Sequence, residues 1–111
     1  VIDAFSDRPP SAWLARNPVD LEAWERRIEE NEPGSGAVGA PVLVVQGAND
    51  LIVPASSTRM AVQRLCAGGN TVDYRQYPGA GHGDVLARAG PEVLGWVAQR
   101  VAGVDARSNC G

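Results

Sequence analysis

Pro41-Val42-Leu43-Val44-Val45-Gln46-Gly47-Ala48-Asn49-Asp50-Leu51-Ile52-Val53-Pro54 is the stretch that decides the class of this chain. Pro41 to Gln46 is an unbroken apolar run rich in β-branched residues, too short for an independent helix and without the alternation of a half-exposed strand. It reads as a strand buried on both faces, the pattern of a parallel sheet. Asp50 then falls in the loop that follows, and Val53-Pro54 closes that loop.

Downstream, Ser56 or Ser57 is placed to cap a helix in which Thr58, Ala61, Val62, Leu65 and Cys66 recur at helical spacing, and Gly68-Gly69-Asn70 stops it. Thr71 to Tyr77 alternates, with Val72 and Tyr74 on one face and Asp73 and Arg75 on the other, so it is expected as a second strand near a sheet edge. Gly79-Ala80-Gly81-His82-Gly83 places the only histidine of the chain in the loop after that strand. Pro91 is expected to start a final helix with Leu94, Val97, Ala98 and Val101 inward and Gly103 at its end. Strand, helix, strand, helix is a right-handed crossover unit, and the class is α/β. Two parallel strands buried on both faces need neighbours. Those strands are expected from a longer parent chain, a partner chain or an oligomer.

Upstream the chain reads as helix without strand. Asn17-Pro18 pairs a capping side chain with a proline at the first helical position, and Asp20 adds favourable charge there. Leu21, Trp24 and Ile28 form one stripe and Glu22, Glu25, Arg26, Glu29 and Glu30 the other face, so an amphipathic helix follows. A short turn from Ser11 to Ala15 precedes it, carrying Trp13 and Leu14. Trp13, Leu21 and Trp24 fit ordinary packing or the wall of an acyl-binding cavity. The glycine-rich run from Glu32 to Ala40 reads as a linker. The organisation is thus a helical part with its linker over 1–40 and an α/β segment over 41–111.

Composition excludes several classes. At 111 residues and 44% hydrophobic content the chain supports one modest core. Ten basic against 13 acidic residues, net −3, leave no basic surface for nucleic acid or an anionic membrane. Every basic residue is arginine and they are scattered, which we read as a GC-rich coding bias. No run approaches the roughly 20 apolar residues of a membrane-spanning helix. No signal peptide is visible, and a chain opening on Val1 reads as a processed product or a fragment. Cys66 and Cys110 are the only cysteines; a disulfide between them would hold the tail to a helix, stabilise by roughly 4 kcal/mol and imply an oxidising compartment, the alternative being two free thiols.

The chemistry resides in Asp50 and His82. An imidazole titrating near neutrality suits proton transfer, and a carboxylate on a neighbouring loop fixes its tautomer and stabilises its charged form. Glycines around His82 let the backbone turn sharply. Alone, Asn49-Asp50 would be turn chemistry and His82 an exposed loop residue; the strands before them and Val53-Pro54 favour the functional reading. Asp84 competes as the partner of His82, but at a helix start it reads as a cap. No serine serves as nucleophile. Ser35 in Gly34-Ser35-Gly36 is linker, Ser6 and Ser11 are loop or cap residues, and Ser108 belongs to the tail. One histidine and two distant cysteines make no metal site, and no phosphate-binding glycine loop is present, so no cofactor is expected.

Glu30-Asn31-Glu32-Pro33-Gly34, the stretch from Pro41 to Gly47, Asp50, Val53-Pro54, Thr58, Leu65-Cys66, Gly69, Val72, Tyr74, Tyr77 and Gly81-His82 together resemble the C-terminal part of the secretory lipases, secreted ester hydrolases of actinomycetes and fungi with the α/β-hydrolase fold. The resemblance covers roughly residues 30 to 103. It implies the last two parallel strands of that fold with their helices, preceded by the remnant of a helical lid or cap. It also implies Asp50 and His82 as the acid and base of a Ser-Asp-His triad acting on acyl esters or lipids outside the cell. The Gly-x-Ser-x-Gly elbow and the oxyanion hole belong to the N-terminal half of the fold and are not in this chain, so that half is the implied partner. A different class of function stays open beside it, a truncated noncatalytic α/β module that associates with itself or another protein.

Overall fold

β1 (Val42–Gly47) and β2 (Val72–Tyr77) pair in parallel, in register from Val42 opposite Val72 to Gly47 opposite Tyr77. Strand, helix, strand order predicts that pairing, because the connection must return to the starting end of the sheet. This is a computed structural model, and it describes residues 8–34 and 36–111; the readings of Val1, Ser6 and Ser35 lie outside them. The described chain forms two compact units, one up to Glu32 and one from Pro33 to Gly111.

In the first unit, turns of 3-10 helix at Pro10–Ala12 and Pro18–Asp20 precede helix α1 (Glu22–Glu30). Asn17 acts as the sequence predicts: its side-chain oxygen accepts the Val19 N–H at 3.3 Å, ahead of Pro18. Within α1, Arg26 pairs with Glu22 and Arg27 with Glu30, both on the exposed surface and worth about a few tenths of a kcal/mol each. Trp24 and Ile28 remain 57% and 44% exposed, so their stripe is an open apolar surface on this unit.

In the second unit, helix α2 (Ala55–Ala67) links the strands and helix α3 (Val85–Val101) follows β2; both pack against both strands. The predicted inner face of α2 is the one that packs, with Val62 buried and Thr58, Ala61, Leu65 and Cys66 half-buried. Its start differs from the expectation. Pro54 occupies the cap position, its carbonyl accepting the Ser57 N–H at 2.9 Å, and Ser56 and Ser57 lie exposed in the first turn without capping it. β1 is half-buried from Val42 to Val45, not buried on both faces, because β2 is its single strand neighbour among the described residues.

α3 corrects the sequence reading twice. It starts at Val85, and Pro91 lies inside it. Proline lacks the N–H that would bond to the Ala87 carbonyl, but both residues are exposed, so that carbonyl is left open to solvent while buried Val85 and Ala89 anchor the first turns. The face expected inward points outward: Leu94, Val97 and Val101 are 73%, 47% and 85% exposed, and Ala98 is exposed with them. Val85 and Ala89 face the strands instead. Gly103 ends the helix as expected, with φ of 76°.

The expected disulfide is present. Cys66 and Cys110, 44 residues apart in sequence, are bonded with their Cα atoms 5.5 Å apart. It holds the tail along the outer edge of β2. The Asn109 N–H donates to the Val72 carbonyl at 2.9 Å, and the Asn109 side chain accepts the Tyr74 N–H at 2.9 Å and donates to the Tyr74 carbonyl at 2.8 Å. Ser108 Oγ accepts the Val72 N–H at 3.4 Å.

Candidate active site

Two loops leave the same end of the sheet and are tied together by their backbones. The Ala48 N–H donates to the Tyr77 carbonyl at 2.9 Å and the Asn49 N–H to the Ala80 carbonyl at 2.8 Å. Gly47 permits this approach: a Cβ there would stand 2.5 Å from the Ala80 oxygen and 2.9 Å from that of Gly81. Only a residue without a side chain lets the aspartate loop and the histidine loop lie so close. Gly79 adopts φ of 72° and turns the chain toward His82.

The two predicted residues meet across these loops, with His82 Nδ1 2.9 Å from Asp50 Oδ2. A carboxylate only accepts, so Nδ1 carries the hydrogen and Nε2 is the free nitrogen of a neutral ring. The aspartate is enclosed and the imidazole is not, with side chains 4% and 50% exposed. The other oxygen of Asp50 accepts the Ile52 N–H at 2.9 Å and the Val53 N–H at 2.8 Å. Burial pushes the Asp50 carboxyl up, but the Val53 N–H, the His82 ring and the Ile52 N–H, with attraction to His82, together hold it below its ordinary 3.8. It is therefore ionised at neutral pH.

Asp84 is brought close in sequence but turned elsewhere. Its Oδ1 accepts the Gly81 N–H at 2.7 Å and its Oδ2 lies 3.4 Å from Arg88. It braces the histidine loop and the start of α3.

Gln46 is the residue that sequence reasoning passed over. Its side chain is buried at the end of β1, donating to the Gly47 carbonyl at 2.9 Å, the Val53 carbonyl at 3.1 Å and Asp50 Oδ2 at 3.4 Å, while Thr58 donates to its oxygen. The signal was an amide closing an otherwise apolar strand, since a buried polar group needs partners. Val45, Gln46, Gly47, Asp50, Val53, His82, Val85 and Leu86 line a hollow of about 250 Å³ beside the imidazole. Leu86 on its wall is 70% exposed, and Leu51 and Ile52, which follow Asp50 in the loop, are 94% and 72% exposed. Among the described residues no three His, Cys, Asp or Glu side chains gather as a metal site. No helix among them is long and apolar enough to cross a membrane.

Comparison with known proteins places these residues in context. The profile of the secretory lipase family matches residues 19–109. Lipase A of Arthroderma benhamiae is 28% identical over 83 residues, which cover 75% of this chain and 18% of that protein. Esterase LipC of Mycobacterium tuberculosis is 35% identical over 95 residues, covering 82% of this chain and 20% of that protein. The chain spans about a fifth of the length of these curated relatives. No solved structure matches it.

Proposed function

The chain belongs to the secretory lipase family, and from that premise we propose that it forms the C-terminal part of a secreted serine ester hydrolase of the α/β-hydrolase fold, with Asp50 and His82 as two members of its triad. The observation that carries this reading is the Asp50–His82 pair, an enclosed, ionised carboxylate 2.9 Å from a half-exposed imidazole. Nε2 of His82 takes the proton of a serine supplied from outside this chain as that serine attacks the acyl carbonyl, then returns it to the leaving alcohol. Asp50 keeps the ring in the required tautomer and stabilises the imidazolium.

The rest of the surface fits that assembly. The outer edge of β1, unpaired among the described residues, takes the preceding strand of the sheet, and the exposed Leu94, Val97 and Val101 of α3 are covered by the N-terminal half of the fold. We read residues 1–40, which include the open stripe of α1, as the remnant of a helical lid or cap, and 41–111 as the core segment. The disulfide supports an extracellular setting. Acyl esters, including those presented by lipids, are the substrates.

In the complete protein carrying this segment, His82→Ala should reduce hydrolysis of p-nitrophenyl esters to background while leaving substrate binding intact. Retained turnover would show that another base is used. Fluorophosphonate should label a polypeptide that contains or accompanies this segment. A homogeneous native assembly of this chain alone, unlabelled and inactive on esters, would establish the noncatalytic module instead.

A further inference from the structure

We infer that Gln46 is a positioning residue for Asp50, a buried amide clamp that sets the carboxylate against His82; the inference rests on the reading of Asp50 and His82 as acid and base. The loop from Gly47 to Val53 leaves β1 and returns to α2, and one side chain grips both of its ends. Nε2 of Gln46 donates to the carbonyls of Gly47 and Val53 at 2.9 and 3.1 Å. The same amide group reaches Asp50 Oδ2, the oxygen that faces His82, at 3.4 Å. Val53 is thus held twice, its carbonyl by Gln46 and its N–H by Asp50 Oδ1.

The orientation of the amide is dictated by its partners. Three oxygens surround one end and accept only, so that end must be the NH2 group; the Thr58 hydroxyl, which donates, marks the carbonyl end. Reversal would set a carbonyl against three other oxygens in a site where Gln46 is 4% exposed and water cannot intervene. Thr58 stands on α2, so the clamp also fixes the loop to the helix that follows it. The sequence carries each member: an amide ending an apolar strand, a glycine directly after it, and a threonine on the inner face of the next helix.

Without Gln46, Asp50 keeps the Ile52 and Val53 N–H groups on Oδ1 but loses the donor beside Oδ2, and the loop loses its tie from end to end. A supporting group that holds a triad member within a fraction of an ångström acts on turnover more than on binding. In the complete enzyme, Gln46→Met, which keeps the volume and removes the amide, should lower kcat by about 10²-fold with KM unchanged. The ¹⁵N spectrum of His82 should show a smaller share of the Nδ1–H tautomer. Gln46→Glu keeps the oxygen for Thr58 and puts a carboxylate where the donor was, so it should not rescue. Thr58→Val frees the amide to rotate and should give a weaker loss with the same signature, which carries the test if Gln46→Met does not fold.

Asp50→Asn, assayed alongside, separates the two readings. An inactive Asp50→Asn together with wild-type kcat and tautomer in folded Gln46→Met, or in Thr58→Val where Gln46→Met does not fold, overturns the clamp alone. Full turnover in Asp50→Asn overturns the acid role of Asp50, and the clamp with it.

Discussion

Asp50 and Asp73 are two buried carboxylates of one small sheet, 9% and 8% exposed, and they are held in opposite ways. Asp73 lies within β2 and is gripped from both oxygens by Arg75, at 3.1 and 2.7 Å. Arg75 also holds Glu92 at 3.1 Å, and the Tyr77 hydroxyl donates to the same carboxylate at 2.9 Å. Asp50 lies beyond the end of β1 and has no cation of fixed charge beside it among the described residues; backbone N–H groups, an amide and an imidazole surround it. Both carboxyls sit below their ordinary value, Asp73 chiefly through its hydrogen bond from Arg75, Asp50 through donors that outweigh its burial. A lowered carboxyl is therefore no mark of a site by itself. The partner decides: arginine keeps its proton at every accessible pH, whereas an imidazole passes one on.

Three measurements break or sharpen that contrast. The largest effect belongs to the Asp50 side: in the complete enzyme, Asp50→Asn should lower kcat on short acyl esters by about 10⁴-fold, because an amide in place of the carboxylate favours the wrong tautomer of the base. Equal activity in the two proteins would reduce Asp50 to a loop former like any Asx turn. Next, Asp73→Ala should leave kcat close to wild type but cost about 2 kcal/mol of stability, read as a lower urea midpoint. The figure is modest because the Arg75 side chain is 32% exposed and regains water when its partner is lost. Loss of activity in folded Asp73→Ala would erase the division between structural and chemical carboxylates.

The smallest effect is on pH dependence. Each carboxyl titrates below 3.8 when folded and near 3.8 when unfolded, so between those values the unfolded chain binds more protons. Their stabilisation is complete above 3.8 and disappears as the pH falls through the folded values. Urea midpoints of wild type and Asp73→Ala should accordingly converge between about pH 5 and about pH 2. A gap that persists unchanged to the acid end would mean that the Asp73 charge contributes nothing and only its shape matters.

The pairing at the end of the sheet was legible because strand, loop and residue type agree there. An apolar run into Gly47, then Asp50, and a glycine-flanked His82 after an alternating strand suffice to bring the two together once the strands are parallel. The Asn17 cap and the inner face of α2 were legible for the same reason, since local geometry alone sets them. Pro91 misled because proline most often opens a helix, and periodicity cannot show that its missing N–H falls where the freed carbonyl is open to solvent. The outward turn of Leu94, Val97 and Val101 was equally hidden: an apolar stripe reveals that something covers it, not which element does. Gln46 escaped notice since its partners, the carbonyls of Gly47 and Val53 and the hydroxyl of Thr58, become neighbours only when the loop closes.

The disulfide-held tail gives the sheet a direction. Sheet edges recruit strands through their unpaired backbone groups, and on β2 those groups at Val72 and Tyr74 are already engaged by Ser108 and Asn109. β1 has no such cover among the described residues. Addition of a strand, whether from the same polypeptide or from another molecule, is thus channelled to one side, and Cys66–Cys110 acts as the latch that makes the assembly one-handed.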